Sequence, residues 1–159
     1  MNKELSPSAQ RVQDALFALN MSFQVVELPT STRTAKDAAQ TIGCKIEQIV
    51  KSLVFRAKQT GKPVLVLASG PNRINENLIG KLVEEHIEKA SADFVRDQTG
   101  FVIGGVPPVG HDERIETYID QDLLQHEELW AAAGTPNAVF QLNSSDLEKL
   151  TEGKIVSIQ

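Results

Sequence analysis

The sequence predicts one α/β (α+β) domain, a mixed β-sheet with helices packed around it, and three observations carry that expectation. Stretches of helical and of strand periodicity alternate along all 159 residues. Residues 49–55 and 64–68 are apolar on nearly both faces, the pattern of strands in the middle of a sheet. No internal repeat, low-complexity tract or long linker divides the chain, and 41% hydrophobic with 23% charged residues is ordinary for a globular core. Within a single domain of residues 1–159, an N-terminal helix is expected over 1–21 and the core over 22–159.

The elements follow in order. Ser6 as N-cap and Pro7 at the first helical position open a helix in which Val12, Leu16 and Leu19 recur at helical spacing. Residues 23–28 read as a strand that stops at Pro29. Thr34 and Asp37 resemble a capping box, with Asp in place of Glu or Gln, and the helix they open runs through Ala38, Ala39 and Ile42 to Gly43. Gly61 turns a hairpin between the two apolar strands. Asn75 caps a helix carrying Leu78, Ile79, Leu82 and Val83; Ser91 caps another that ends at Gly100. Residues 101–106 are expected as a strand broken by Gly104-Gly105 and Pro107-Pro108. Residues 117–119, 129–132 and 138–142 are further strands, with Trp130 in the core. Asn143 caps a last helix through Leu147 and Leu150, ended by Gly153, before a short strand over 155–158.

Composition excludes several functions. A formal net charge of −5 argues against a protein that coats nucleic acid with a broad basic surface, although a pocket gripping only a nucleic-acid end remains compatible with it. The single cysteine, Cys44, permits no intramolecular disulfide and no cysteine cluster for a metal. The three histidines have no ligand spacing, so neither metal nor cofactor is expected. There is no apolar run of membrane-spanning length and no signal-peptide h-region at the start, which fits a cytoplasmic protein.

Two features stand out. In Ile49-Val50-Lys51-Ser52-Leu53-Val54-Phe55, alternation places Lys51 on the face of Ile49, Leu53 and Phe55, where an ammonium must reach solvent, pair with an anion or line a pocket. An edge-strand lysine that snorkels outward is the alternative. The second is Gly104-Gly105-Val106-Pro107-Pro108, where glycines allow close backbone approach and exposed N–H groups, and prolines stiffen the turn. A simple sheet bend explains the same residues. His111, just after this loop, is a base, a substrate ligand or a surface turn residue. Lys45 beside Cys44 lowers the thiol pKa unless Cys44 is only a small semi-buried residue. Glu116, Asp120 and Asp122 read as a solvated turn and helix start, or Asp120 braces the loop. No Gly-x-Ser-x-Gly nucleophile elbow exists.

From residue 23 to 158 the chain resembles the YbaK/ProX family of trans-acting aminoacyl-tRNA deacylases, also found as an editing insert in some prolyl-tRNA synthetases. The resemblance is carried by the Gln48–Phe55 run, where the family has a functional lysine followed by Thr or Ser, and by the run from Thr99 to Gly110, where it has a Gly-x-x-x-Pro loop. Tyr118-Ile119-Asp120, Ala132-Ala133-Gly134 and the closing helix are also similar. The resemblance implies a curved sheet and a pocket for the aminoacylated terminal adenosine of tRNA, with a prolyl-tRNA synthetase as a possible partner. It implies that Lys51, Gly104 and Gly105 are catalytic, Lys51 holding the ester or sugar and loop amides stabilising the oxyanion. Ser52, Val106, Pro107, Pro108, His111, Thr34 and Asp120 would contact substrate. The nucleophile would be water or a substrate group helped by the ribose hydroxyl. Pro107, His111 and the segment Thr32-Arg33-Thr34 depart from the best-known members, which bears on the amino acid edited. A non-catalytic tRNA- or synthetase-binding module with the same pocket is the alternative function, and a small-molecule esterase or amidase a further one.

Overall fold

A computed structural model describes residues 4–31 and 34–159; Thr32 and Arg33 of the divergent segment lie outside the described residues. In chain order the elements are α1 (Pro7–Ala18), β1 (Val25–Glu27), α2 (Ala35–Ile42), β2 (Ile49–Ala57), β3 (Pro63–Ser69), α3 (Glu76–Val83), β4 (Ile87–Lys89), α4 (Ala92–Thr99), β5 (Glu116–Asp120), β6 (Glu128–Ala132), β7 (Ala138–Asn143), α5 (Leu147–Thr151) and β8 (Lys154–Val156). The strands form one mixed sheet ordered β1-β7-β6-β2-β3-β5-β8, with β4 pairing β2 off this path. β3 is central because Val64 to Ala68 can be buried on both faces, and all five are fully buried.

Alternation divides the core. Val50, Leu65, Leu67 and Ile119 face α1, whose Ala9, Val12 and Leu16 are fully buried, and Phe101, Val106 and Val109 join them. Phe55, Val64, Val66, Ala68 and Tyr118 face the other way, onto Ile79 and Val83 of α3. Helix α2 packs Ala38 and Ala39 on Ile49 and Trp130 at one end of the sheet. Each large side chain so buried contributes about 1.5–3 kcal/mol.

Several caps form as the sequence predicts. Thr34, Asn75 and Ser91 accept from the amides of Asp37, Leu78 and Phe94, and Gly43 and Gly100 close their helices in the left-handed conformation. Others differ. Ser6 precedes α1 without a side-chain cap, its amide donating instead to Glu27 Oε1 at 2.6 Å, and Leu19 lies past the helix end and is exposed. Asn143 leads into a 3₁₀ turn, Ser144–Asp146, so α5 starts later and ends at Glu152, itself left-handed, one residue before Gly153. Residues 101–106 are not a strand. The left-handed Gly100 redirects the chain, Gly104 at φ +88° turns it again, and the prolines supply no ladder donors.

One irregularity in the sheet positions the site. β2 pairs with β3 along residues 50–56. On its other flank β6 pairs at Ile49 and Val50, and β4 pairs only from Phe55 to Ala57. Among the described residues no strand stands beside residues 51–54 on that flank.

Candidate functional site

A cavity of about 400 Å³ occupies this break in the sheet. Its walls come from α2 and the turn at Ile46, β2, Gly70, the 103–106 loop, and Trp130, Ala131 and Ala132 of β6. The gap opens both sheet faces into one space: Lys51 reaches it from the face of Ile49 and Leu53, and Gly104 and Val106 from the opposite face.

Lys51 is half-buried, and its Nζ donates to the main-chain carbonyl of Asn72 at 2.6 Å. Desolvation lowers its pKa below the ordinary lysine value of 10.5; nearby Asp120 opposes that shift and Arg73 reinforces it. Asn72 is itself fixed. Its Nδ2 donates to Asp120 Oδ2 and Asp122 Oδ2, both at 2.8 Å, and its amide donates to Ser69 O at 2.9 Å. Asp120, 1% exposed, also accepts from the amides of Ser69 and Asp122. It is therefore not part of a solvated turn and does not brace the 104–108 loop: it anchors the turn that holds Lys51, and it stands behind the cavity wall.

The loop separates its residues by role. Gly105 is buried, its amide donates to Val102 O at 3.0 Å and its carbonyl accepts from Gly134 N at 2.9 Å. A Cβ at Gly105 would meet the Thr135 backbone at 2.8 Å. Its close approach is thus to the protein's own chain, and its amide is not free to face a ligand. The amides of Gly104 and Val106, which line the cavity, make no hydrogen bond among the described residues. Pro107 and Pro108 are buried, and Pro108 borders a second cavity with His111 on the far side of the loop.

His111 also lies behind the loop. Its Nε2 is 2.7 Å from Pro107 O, which only accepts, so Nε2 carries the proton. Its ring meets Phe101 edge-on, with centroids 6.3 Å apart. Burial lowers its pKa, with Arg11 adding to the shift and the Pro107 bond and Asp112 opposing it.

Ser52 lines the cavity, and its buried hydroxyl has no hydrogen-bond partner. Thr34 stands at the cavity wall, exposed, with its hydroxyl capping α2. The structure thus brings Lys51, Ser52, Gly104, Val106 and Thr34 to one cavity and leaves Gly105, Pro107, Pro108, His111 and Asp120 outside it. Trp130, expected in the core, is half-buried and forms a cavity wall. Cys44 is half-buried too, in line with the reading of a small semi-buried residue, and burial raises its thiol pKa, against the alternative in which Lys45 lowers it. Sequence reasoning missed Asn72 and Gly70. Their signal is the Gly70-Pro71-Asn72 turn directly after Ser69, which ends the apolar β3.

A family model of the aminoacyl-tRNA editing domain matches residues 30–150, a span that holds every cavity wall. The chain belongs to the aminoacyl-tRNA editing domain family. At family level its activity is deacylation of aminoacyl-tRNA, and this editing domain has a solved counterpart. A crystal structure of a candidate trans-editing enzyme for prolyl-tRNA synthetase superposes with a TM-score of 0.92 at 47% identity, covering 98% of this chain and 99% of that one. The Bacillus subtilis protein YwhH is 31% identical over 136 residues, 86% of each chain. The Bacillus licheniformis proline–tRNA ligase is 37% identical over 124 residues, 77% of this editing domain and 20% of the ligase. No helix among the described residues is long and apolar enough to cross a membrane, and no group of three or more His, Cys, Asp or Glu there could hold a metal.

Proposed function

We propose that this editing domain acts in trans, in the cytoplasm, on tRNA carrying a wrongly attached small amino acid. It hydrolyses the ester to the terminal adenosine, working alongside a prolyl-tRNA synthetase. The observation that carries the site assignment is Lys51 and Gly104 entering one cavity from opposite faces of the sheet. An ester placed in the gap would have a cation on one side and unpaired amides, those of Gly104 and Val106, on the other. Water adds to the carbonyl carbon, and the negative charge that develops on the carbonyl oxygen is met by these preorganised donors. The bond to the ribose oxygen then breaks. That oxygen leaves with a proton, and the products are the free amino acid and tRNA with an intact terminal hydroxyl. The largely apolar walls, with Val50, Val106 and Ala131, limit the amino acid by size, at about 1–3 kcal/mol for each methylene.

The experiment is a deacylation panel. Transfer RNAs charged with alanine, cysteine, serine and proline are incubated with the protein and with Lys51→Ala. Faster-than-buffer loss of a small mischarged residue, abolished by the substitution, is the expected outcome. A panel in which no ester is cleaved above background rejects the reading.

A further inference from the structure

The unpaired stretch of β2 lies inside the cavity, and its backbone direction can be read from its end. Ala57 N donates to Lys62 O at 2.9 Å on the β3 flank, and Lys58 N donates to His86 O at 2.9 Å on the β4 flank. Odd-numbered residues of β2 therefore turn their amide and carbonyl toward β3, and even-numbered residues toward the other flank. There the last pair with β6 is Val50↔Ala131 and the first with β4 is Phe55↔Lys89. Ser52 falls between them. Among the described residues its N–H and C=O have no hydrogen-bond partner, and neither does its buried hydroxyl. The hydroxyl is buried, and buried polar groups are nearly always paired; with two unpaired main-chain groups beside it, this one cavity residue offers three groups to a ligand.

We propose that the main chain of Ser52 recognises the α-amino acid portion of the substrate, which takes the place of the missing strand as a single residue of antiparallel ladder. The inference rests on the editing reading above. The α-ammonium donates to Ser52 C=O, and the ester carbonyl accepts from Ser52 N–H with one lone pair, leaving the other to the loop amides of Gly104 and Val106. An aminoacyl ester carries donor and acceptor in the order a strand residue does, and extended peptides dock on open sheet edges by the same bonds. Paired residues of an antiparallel ladder direct their side chains to one face. An L-amino acid side chain therefore points to the face that Ser52 shares with Val50, where Gly104 and Val106 close the cavity. The ester carbon stays in the plane of the sheet, between Lys51 and the loop. Recognition of an amino acid as such is thereby separate from the measurement of its side chain.

The test uses the full chain and one tRNA esterified with L-alanine or with propionate, which is alanine without its amino group. Each enzymatic kcat/KM is divided by the uncatalysed rate in buffer, since the ammonium itself activates the ester. The propionyl ester is expected to fall roughly 10- to 100-fold, the effect of losing a hydrogen bond to a charged donor. Hydrogen exchange at the Ser52 amide is expected to slow when the non-hydrolysable 3′-(L-alanylamino)-3′-deoxyadenosine is added. Equal normalised turnover of the two esters, or an unchanged Ser52 amide at saturating analogue, overturns the inference while leaving editing intact. Cleavage of neither ester, nor of any other charged tRNA of the panel, overturns the editing reading itself and this inference with it; where the panel shows another residue cleaved, that residue and its desamino acid replace alanine and propionate.

Discussion

Lys51 Nζ donates to the main-chain carbonyl of Asn72 at 2.6 Å, so the cavity's ammonium is aimed by a turn and not by a carboxylate in contact with it. The carboxylate stands one step back, where Asp120 Oδ2 holds the Asn72 side chain and the Ser69 amide. Asp120→Asn sets an amide donor against donors in a buried site. It is expected to cost about 1–3 kcal/mol of stability, read as a lower urea midpoint. Deacylation is expected to slow as well, because the turn that aims Lys51 loosens and the ammonium loses its nearest countercharge.

Lys51 itself carries a signed pH dependence. Its folded pKa lies below 10.5, so the unfolded chain binds the proton more readily. Its burial therefore opposes folding at neutral pH, and that opposition is relieved as pH rises through the folded pKa toward 10.5. Lys51→Met should remove this upward slope between neutral and alkaline pH and abolish deacylation, with the fold retained. Urea titrations at several pH values and a rate assay read both.

For His111 the slope lies at lower pH. Its folded pKa is depressed below 6.5, so the unfolded state binds the proton first as pH falls. The bond to Pro107 is kept in both protonation states; what changes is the cost of burying the charged ring, which is absent above about pH 6.5 and lowers stability as pH drops from there through the folded value. His111→Gln, which keeps an amide donor but does not titrate, should flatten the stability profile below pH 6.5. An unchanged slope in the variant would contradict this assignment.

Gly104 and Gly105 are adjacent and should fail differently. Gly105→Ala places a methyl 2.8 Å from the Thr135 backbone and is expected to lower stability by about 1–3 kcal/mol. Gly104→Ala forces a non-glycine residue to φ +88° at the cavity wall. It should cost about 1–2 kcal/mol and raise KM, because the methyl enters the substrate space. Thermal melts and Michaelis curves of the two variants separate the effects.

Trp130→Ala should widen the cavity on the α2 side. That side carries Ile49 and Lys51, opposite the face that receives the amino acid side chain, so the kcat/KM ratio of a larger amino acid to a smaller one is expected to change by less than about 3-fold. Competition between two charged tRNAs measures that ratio directly.

Much of this was legible in the residues. The apolar runs of β2 and β3 announced a central hairpin, and β3 is buried on both faces, where no polar alternation is needed. Three helix starts were read correctly from Thr34, Asn75 and Ser91, because a side-chain cap is a local bond. Lys51 was conspicuous as a charge on an apolar strand. What misled were features whose meaning depends on distant partners. Asp120 reads as a turn acid until Ser69 and Asn72, about fifty positions away, are found bonded to it. Gly105 reads as a ligand cradle until Thr135 is found against it. Trp130 reads as core because its half-exposed face appears only once β6 ends beside β2.

By itself the sequence determined the alternation of helices and strands, the central hairpin and the capped helices, and it marked Lys51 and the 104–108 loop as candidates. These follow from periodicity and from conformational limits that each residue type carries wherever it stands. Only the tertiary structure decided which loop amides are free, that His111 and Asp120 work from behind the wall, and that Ser52 faces a missing strand. Those are questions of pairing across the sheet, and a hydrogen bond left unmade is visible only when every neighbour has been placed.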